Sequence, residues 1–199
     1  ISNNIMNILE NFIQKLPADI SPAFIEDLKR KSNLITLNKG GVITAEHIKD
    51  RRIYCILQGS CTRYIINPKG EERAVMFHTE SFMPMLGNMY ICSNGSVVSY
   101  CLKANEKTIL LSFNRDFGYE WIKKDLVFAN FIYENAIQYL SVLNQFQNHL
   151  LGLSSEELLK WLLTNYQPIF QRFRSKDIAN FMGVTPIWLS NLKRKIIVG

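Results

Sequence analysis

The stretch RSKDIANFMGVTPIWLSNLKRK, residues 174–195, decides how this chain is read. It spells two short helices around a tight turn. Ser175 is expected to cap the first helix, because its side-chain oxygen meets backbone N–H groups that lack an intrahelical partner. Ile178, Ala179, Phe181 and Met182 give that helix an apolar side. Gly183 ends it, since glycine enters the left-handed conformation without steric cost. Thr185 caps the second helix, and Pro186 takes its first position, where a missing N–H costs nothing. Leu189 and Leu192, at i and i+3, turn inward. A small residue at 179, a turn glycine four residues on and an aliphatic six residues later are the requirements of a helix-turn-helix.

A helical hairpin that merely closes a core would use the same residues. Charge separates the two readings. Residues 1–159 hold 16 Lys/Arg and 16 Asp/Glu, whereas residues 160–199 hold 7 Lys/Arg against the single Asp177. The net charge of +6 therefore lies in the last fifth of the chain, where phosphate contact would require it. The residues expected at DNA are Arg174, Lys176, Thr185, Pro186, Ile187, Trp188, Ser190, Asn191, Lys193, Arg194 and Lys195, with Arg172 joining the phosphate contacts. Asn191 suits a bidentate pair with adenine, and Ile187 suits a thymine methyl.

With 199 residues, 47% of them hydrophobic and 20% charged, the chain has enough apolar material for a substantial core. Apolar runs are too short to cross a bilayer and no signal segment opens the sequence, so the cytoplasm is the expected location and no membrane is an expected partner. Cys55, Cys61, Cys92 and Cys101 make no CxxC pair or metal-ligand spacing and read as buried reduced thiols. His47, His78 and His149 are far apart, which removes a metal site. No nucleophile elbow, P-loop or dinucleotide fingerprint occurs, so no enzyme is expected.

Upstream, Ile5, Ile8, Leu9, Phe12, Ile13 and Leu16 follow helical spacing, and Ser21-Pro22 opens a second helix. From Leu34 to Phe113 the period becomes strand-like. Candidate strands are 34–37, 42–44, 52–57, 61–66, 73–77, 97–102 and 108–113, separated by glycine- and asparagine-rich turns. Short strands at such spacing imply an antiparallel sandwich or roll. Asn114 then begins a short helix, and a long one starts near Asp125 with apolar residues on nearly every side. A helix apolar all round must be covered all round. One stripe covers the roll, and Phe128, Ile132, Asn135, Tyr139, Val142 and Phe146 are expected to face a second copy. Gly152 breaks this helix, and Ser154-x-x-Glu157 is a capping box for the next.

An N-terminal helix, a glycine-punctuated β-roll, one long apolar helix and a C-terminal helix-turn-helix resemble the Crp/Fnr regulators of bacterial transcription. The most specific parts are Tyr54-Cys55-Ile56-Leu57-Gln58-Gly59-Ser60 and Asp177 through Pro186. Ser154 to Ile196 is similar to a wingless branch of that family. The resemblance implies an α+β chain: a jelly-roll-like antiparallel β-roll sensor over 1–124, a dimerisation helix over 125–151, and an all-α helix-turn-helix domain over 152–199. It implies a homodimeric, sequence-specific DNA-binding regulator, with RNA polymerase as a further partner. The alternative is a small-molecule or protein-interaction module with a degenerate helix-turn-helix.

Two departures shape these expectations. Family members that hold a cyclic nucleotide use a Gly-Glu pair and an Arg-Ser, yet residues 82–102 here carry no charge. No cofactor is expected, and cyclic AMP is not expected to bind. Met83, Met85, Leu86, Met89 and Tyr90 lie where the family's ligand sits. They form either a self-filled core or a greasy pocket for an uncharged effector, with Arg63 or Arg73 reaching in. The second departure is in the recognition helix, where Pro186, Ile187 and Asn191 replace the family's guanine and cytosine readers.

Overall fold

The computed structural model describes residues 2–44, 52–87 and 99–198. Helices α1 (Ser2–Ile13) and α2 (Pro22–Lys31) precede strands β1 (Asn33–Leu37), β2 (Val42–Thr44), β3 (Arg52–Gln58), β4 (Ser60–Ile66), β5 (Glu72–Thr79), β6 (Met85–Gly87), β7 (Ser99–Ala104) and β8 (Thr108–Asn114). Then come α3 (Arg115–Lys124), α4 (Leu126–Gly152), α5 (Ser155–Asn165), α6 (Gln167–Arg172), α7 (Ser175–Met182) and α8 (Pro186–Val198). The strands pair antiparallel in two four-stranded sheets, ordered β1-β8-β3-β6 and β2-β7-β4-β5. The α+β roll is as expected. Among the described residues, no helix is long and apolar enough to cross a membrane.

Strand β8 shows why the sheets stack as they do. Thr108 through Phe113 are buried at every position, because β8 is central in its sheet and covered on both faces. Leu110 points into the roll with Ile56, Leu86 and Leu102. Leu111 and Phe113 point outward, beneath a helical cluster built on Phe24. The Phe24 ring meets Phe117, Trp121 and Phe128 at centroid distances of 5.9, 5.5 and 4.4 Å. Strand β6 was not among the candidates: three residues carry no alternation, and pairing with the edge of β3 creates it.

The Ser154–Glu157 box forms as expected, and Asn114 and Asp125 turn out to cap the helices that start after them. Ser21 stands at its expected N-cap, but its side chain makes no capping bond. Its N–H instead donates to Asp125 Oδ2 (2.9 Å), while Asp125 Oδ1 accepts the Phe128 N–H (3.0 Å), so one buried carboxylate joins the starts of α2 and α4. The Phe128 N–H, outweighing burial, lowers the Asp125 pKa from 3.8. A lowered folded-state value gives stability that is present above the unfolded pKa and fades as pH falls through the folded one. Asp125→Ala should therefore cost about 1 kcal/mol at neutral pH, with the gap to wild type closing at acid pH; urea unfolding at both pH values checks this.

Helix α4 ends at Gly152. Packing continues across it. Tyr64, Met76 and Phe77 of the roll share one hydrophobic cluster with Phe146 of α4 and with Leu159, Phe173 and Phe181 beyond it.

Candidate nucleic-acid interface

The turn is built as its residues dictate. Gly183 is left-handed (φ 72°, ψ 26°), the Val184 N–H donates to Ala179 O (2.9 Å), and the Gly183 N–H donates to Asn180 O (3.2 Å). Thr185 Oγ1 accepts the Trp188 N–H (3.1 Å) and caps α8. Ala179 and Leu189 are fully buried where the two helices meet, with Ile178, Phe181, Met182 and Leu192 around them. The opposite face of α8 is open: Thr185, Pro186, Ile187, Trp188, Ser190, Asn191, Arg194 and Lys195 are all exposed.

The first cap departs from expectation. Ser175 is already helical, the N-cap is Arg174, and no side chain caps it. Arg174 instead donates Nε and Nη2 to the two oxygens of buried Asp177 (2.8 and 3.1 Å). That pairing engages two of the guanidinium's nitrogens, while the side chain stays exposed.

The other cations of this segment differ in what they touch. Lys193 lies over the Phe170 ring at 4.3 Å, half-buried, and burial lowers its pKa. Lys195 makes a 3.5 Å pair with Glu156 that is exposed and easily exchanged for phosphate. Lys176 and Arg194 are exposed and, among the described residues, make no ion pair. Arg172 is held by two carboxylates, Glu80 and Glu106.

The residues grouped as an effector pocket are not brought together. Met83 belongs to the cluster under the helix-turn-helix, Met85 packs on the cluster of Phe24, and Leu86 fills the roll interior. Met89 and Tyr90 lie outside the described residues. Arg73 does not reach inward: it is exposed beside the turn of the helix-turn-helix, where a Cβ on Gly183 would stand 3.3 Å from its Nη2. Arg63 is half-buried and lies beside Tyr139 of α4. His78 is buried, its Nδ1 against Met83 O (2.9 Å), and burial lowers its pKa to about 4, so the ring is neutral at physiological pH. Burial pushes the thiols of Cys55 and Cys61 up to about 12, far from reactive thiolates. His47 and Cys92 lie outside the described residues. No group of three or more metal-ligating side chains occurs among those described.

On α4 the stripe expected to meet a second copy is partly used internally. Phe128 and Phe146 are buried in their own chain, Ile132, Tyr139 and Val142 are half-covered there, and Asn135 is exposed. A different row is open. Leu126 (75% exposed), Tyr133 (66%), Ile137 (50%), Leu140 (51%) and Leu151 (80%) face outward. With exposed Asn130, Asn144 and Gln147 they recur at alternating steps of four and three residues, the seam of a coiled coil. Apolar residues on nearly every side of the helix conceal in the sequence which row packs internally.

No protein-family model and no curated protein sequence matches the chain. Solved structures do. A cyclic nucleotide-binding domain containing protein from Listeria monocytogenes superposes with a TM-score of 0.67 at 13% identity, covering 97% of this chain and 90% of that one. A Crp/Fnr-family transcriptional regulator from Eubacterium rectale gives 0.64 at 16% identity over 90% and 85%. FixK2 from Bradyrhizobium japonicum gives 0.64 at 14% identity over 84% and 85%. At such identities the likeness is one of architecture. With its β-roll, long helix and terminal helix-turn-helix, the chain has the fold of the Crp/Fnr regulators.

Proposed function

We propose that this protein is a homodimeric, sequence-specific DNA-binding regulator of transcription. The observation that carries the reading is the division of α8: one face is sealed against α7 and α5 through Leu189 and Leu192, and the other presents Ile187, Ser190, Asn191 and Arg194 to solvent. A helix so mounted enters a major groove by its open side. The open row on α4 supports a two-fold dimer, which would present two recognition helices to a pseudo-palindromic site. The roll works without a cyclic nucleotide, a reading supported by the uncharged stretch of residues 82–102.

Genomic fragments retained by the protein, once sequenced, give the preferred site. On it, Asn191→Ala should cost roughly 1–3 kcal/mol while barely changing random DNA. Arg194→Ala should weaken all sequences alike and lower the salt slope by about one. Equal loss of specific and random binding in both variants would show that Asn191 reads no base. The exposed apolar pair Ile187 and Trp188 favours a second reading, a protein-facing module. Under that reading no fragment is enriched.

A further inference from the structure

Arg172 ends α6 at the entrance to the helix-turn-helix and faces inward. Its Nη1 donates to Glu80 Oε1 (2.8 Å), and Nη2 and Nε donate to Glu106 Oε1 (2.6 and 3.2 Å). Both carboxylates are held from behind by the β3–β4 turn. The Gly59 N–H donates to Glu80 Oε2 (3.1 Å), and Ser60 Oγ donates to Glu106 Oε1 (2.7 Å). Four segments distant in sequence thus meet at one guanidinium.

A second attachment lies at the other end of β5. Asn180 of α7 accepts the Ala74 N–H on Oδ1 (2.5 Å) and donates Nδ2 to Glu72 O (3.2 Å). Strand β5 is the outer strand of its sheet, so this amide offers it one acceptor and one donor, as a neighbouring strand would. Between the two polar ends, Phe77 packs edge-on against Phe173 (4.8 Å) and Phe181 (5.3 Å). The helix-turn-helix is therefore fastened along β5 from Glu72 to Glu80, while the outer face of α8 stays open. These contacts orient the recognition helix without covering it.

We infer that Arg172 is a positioning residue. With Glu80 and Glu106 it fixes the orientation of the helix-turn-helix on the roll, and hence the half-site spacing that a dimer accepts. The inference rests on the DNA-binding, dimeric reading given above. A phosphate-binding arginine would be free. This one is tied to two carboxylates, and its loss changes which orientations are populated, not the attraction of one helix for one half-site. Coupling of this kind typically alters an equilibrium by roughly 5- to 150-fold.

Two variants test it: Arg172→Gln, and Glu80→Gln combined with Glu106→Gln. Each is titrated against a single half-site and against palindromes whose spacer varies by single base pairs, at two salt concentrations. Both variants should lose preference for the best spacing by about tenfold or more, with half-site affinity and salt slope unchanged. A lower salt slope in Arg172→Gln, or uniformly tighter binding by the glutamate variant, would mark simple charge effects and overturn the inference. So would unchanged spacing profiles. A second measurement needs no DNA: the distance distribution between spin labels carried by unnatural amino acids at Lys69 and Ser190. It should be narrow in wild type and broad in both variants. Equal widths defeat the proposal, whereas broadening in a protein that binds no DNA leaves the positioning role standing and removes the DNA-binding reading.

Discussion

Lysine at both Ile137 and Leu140 is expected to turn the protein into monomers and to abolish binding to a two-half-site operator. The two side chains lie in the middle of the open row on α4, half-exposed in the single chain. Burying an aliphatic side chain contributes about 2 kcal/mol, and a symmetric seam holds each of the two twice. Removing them, and placing four ammonium groups together, should raise the dimer dissociation constant at least about a thousandfold. The monomer has little to lose, because these positions lie outside its own clusters. Sedimentation velocity reads the outcome, and thermal unfolding confirms an intact chain. Ile132→Lys and Val142→Lys give the contrast: both residues pack on their own chain, so they should lower stability before they change assembly. A double variant that still sediments as a dimer would place the interface elsewhere.

Gly59→Ala should be the most damaging single-methyl change. Gly59 has φ +105°, and a Cβ there would stand 2.6 Å from Thr108 Oγ1, 2.7 Å from Thr108 Cα and 2.8 Å from Lys107 O. Two of those atoms are backbone and cannot swing aside. Left-handed strain costs roughly 1–3 kcal/mol, and overpacking against fixed atoms a similar amount, so a loss of about 3 kcal/mol or more is expected. The damage should spread, since the N–H of Gly59 and the hydroxyl of Ser60 hold the carboxylates that grip Arg172. Gly70→Ala is the control. Its φ is +81°, but nothing lies within 4 Å, which leaves only the conformational cost of about 1–2 kcal/mol. Urea unfolding of the two variants separates the terms; equal losses would mean that the close approach of Thr108 carries no weight.

The sequence by itself determined the parts whose signals are local. Ala179, Gly183 and Leu189 lie within eleven residues, and the caps at Asn114, Asp125 and Ser154 act within three. Such features depend on helix and turn geometry over one or two turns, which residue order specifies directly. Strand period likewise placed all the strands of the described residues except β6, which exists only because β3 offers an edge. Tertiary structure decided what each exposed-looking group does. Arg172 meets its carboxylates across 66 and 92 residues, and Asn180 meets β5 across 106 and 108. Met83, Met85 and Leu86, neighbours in sequence, part into three clusters. On α4, apolar residues on every side left the inward and outward rows indistinguishable until the roll covered one of them. Charge and hydrophobicity are properties of a residue, whereas a partner belongs to the packing that brings distant segments together.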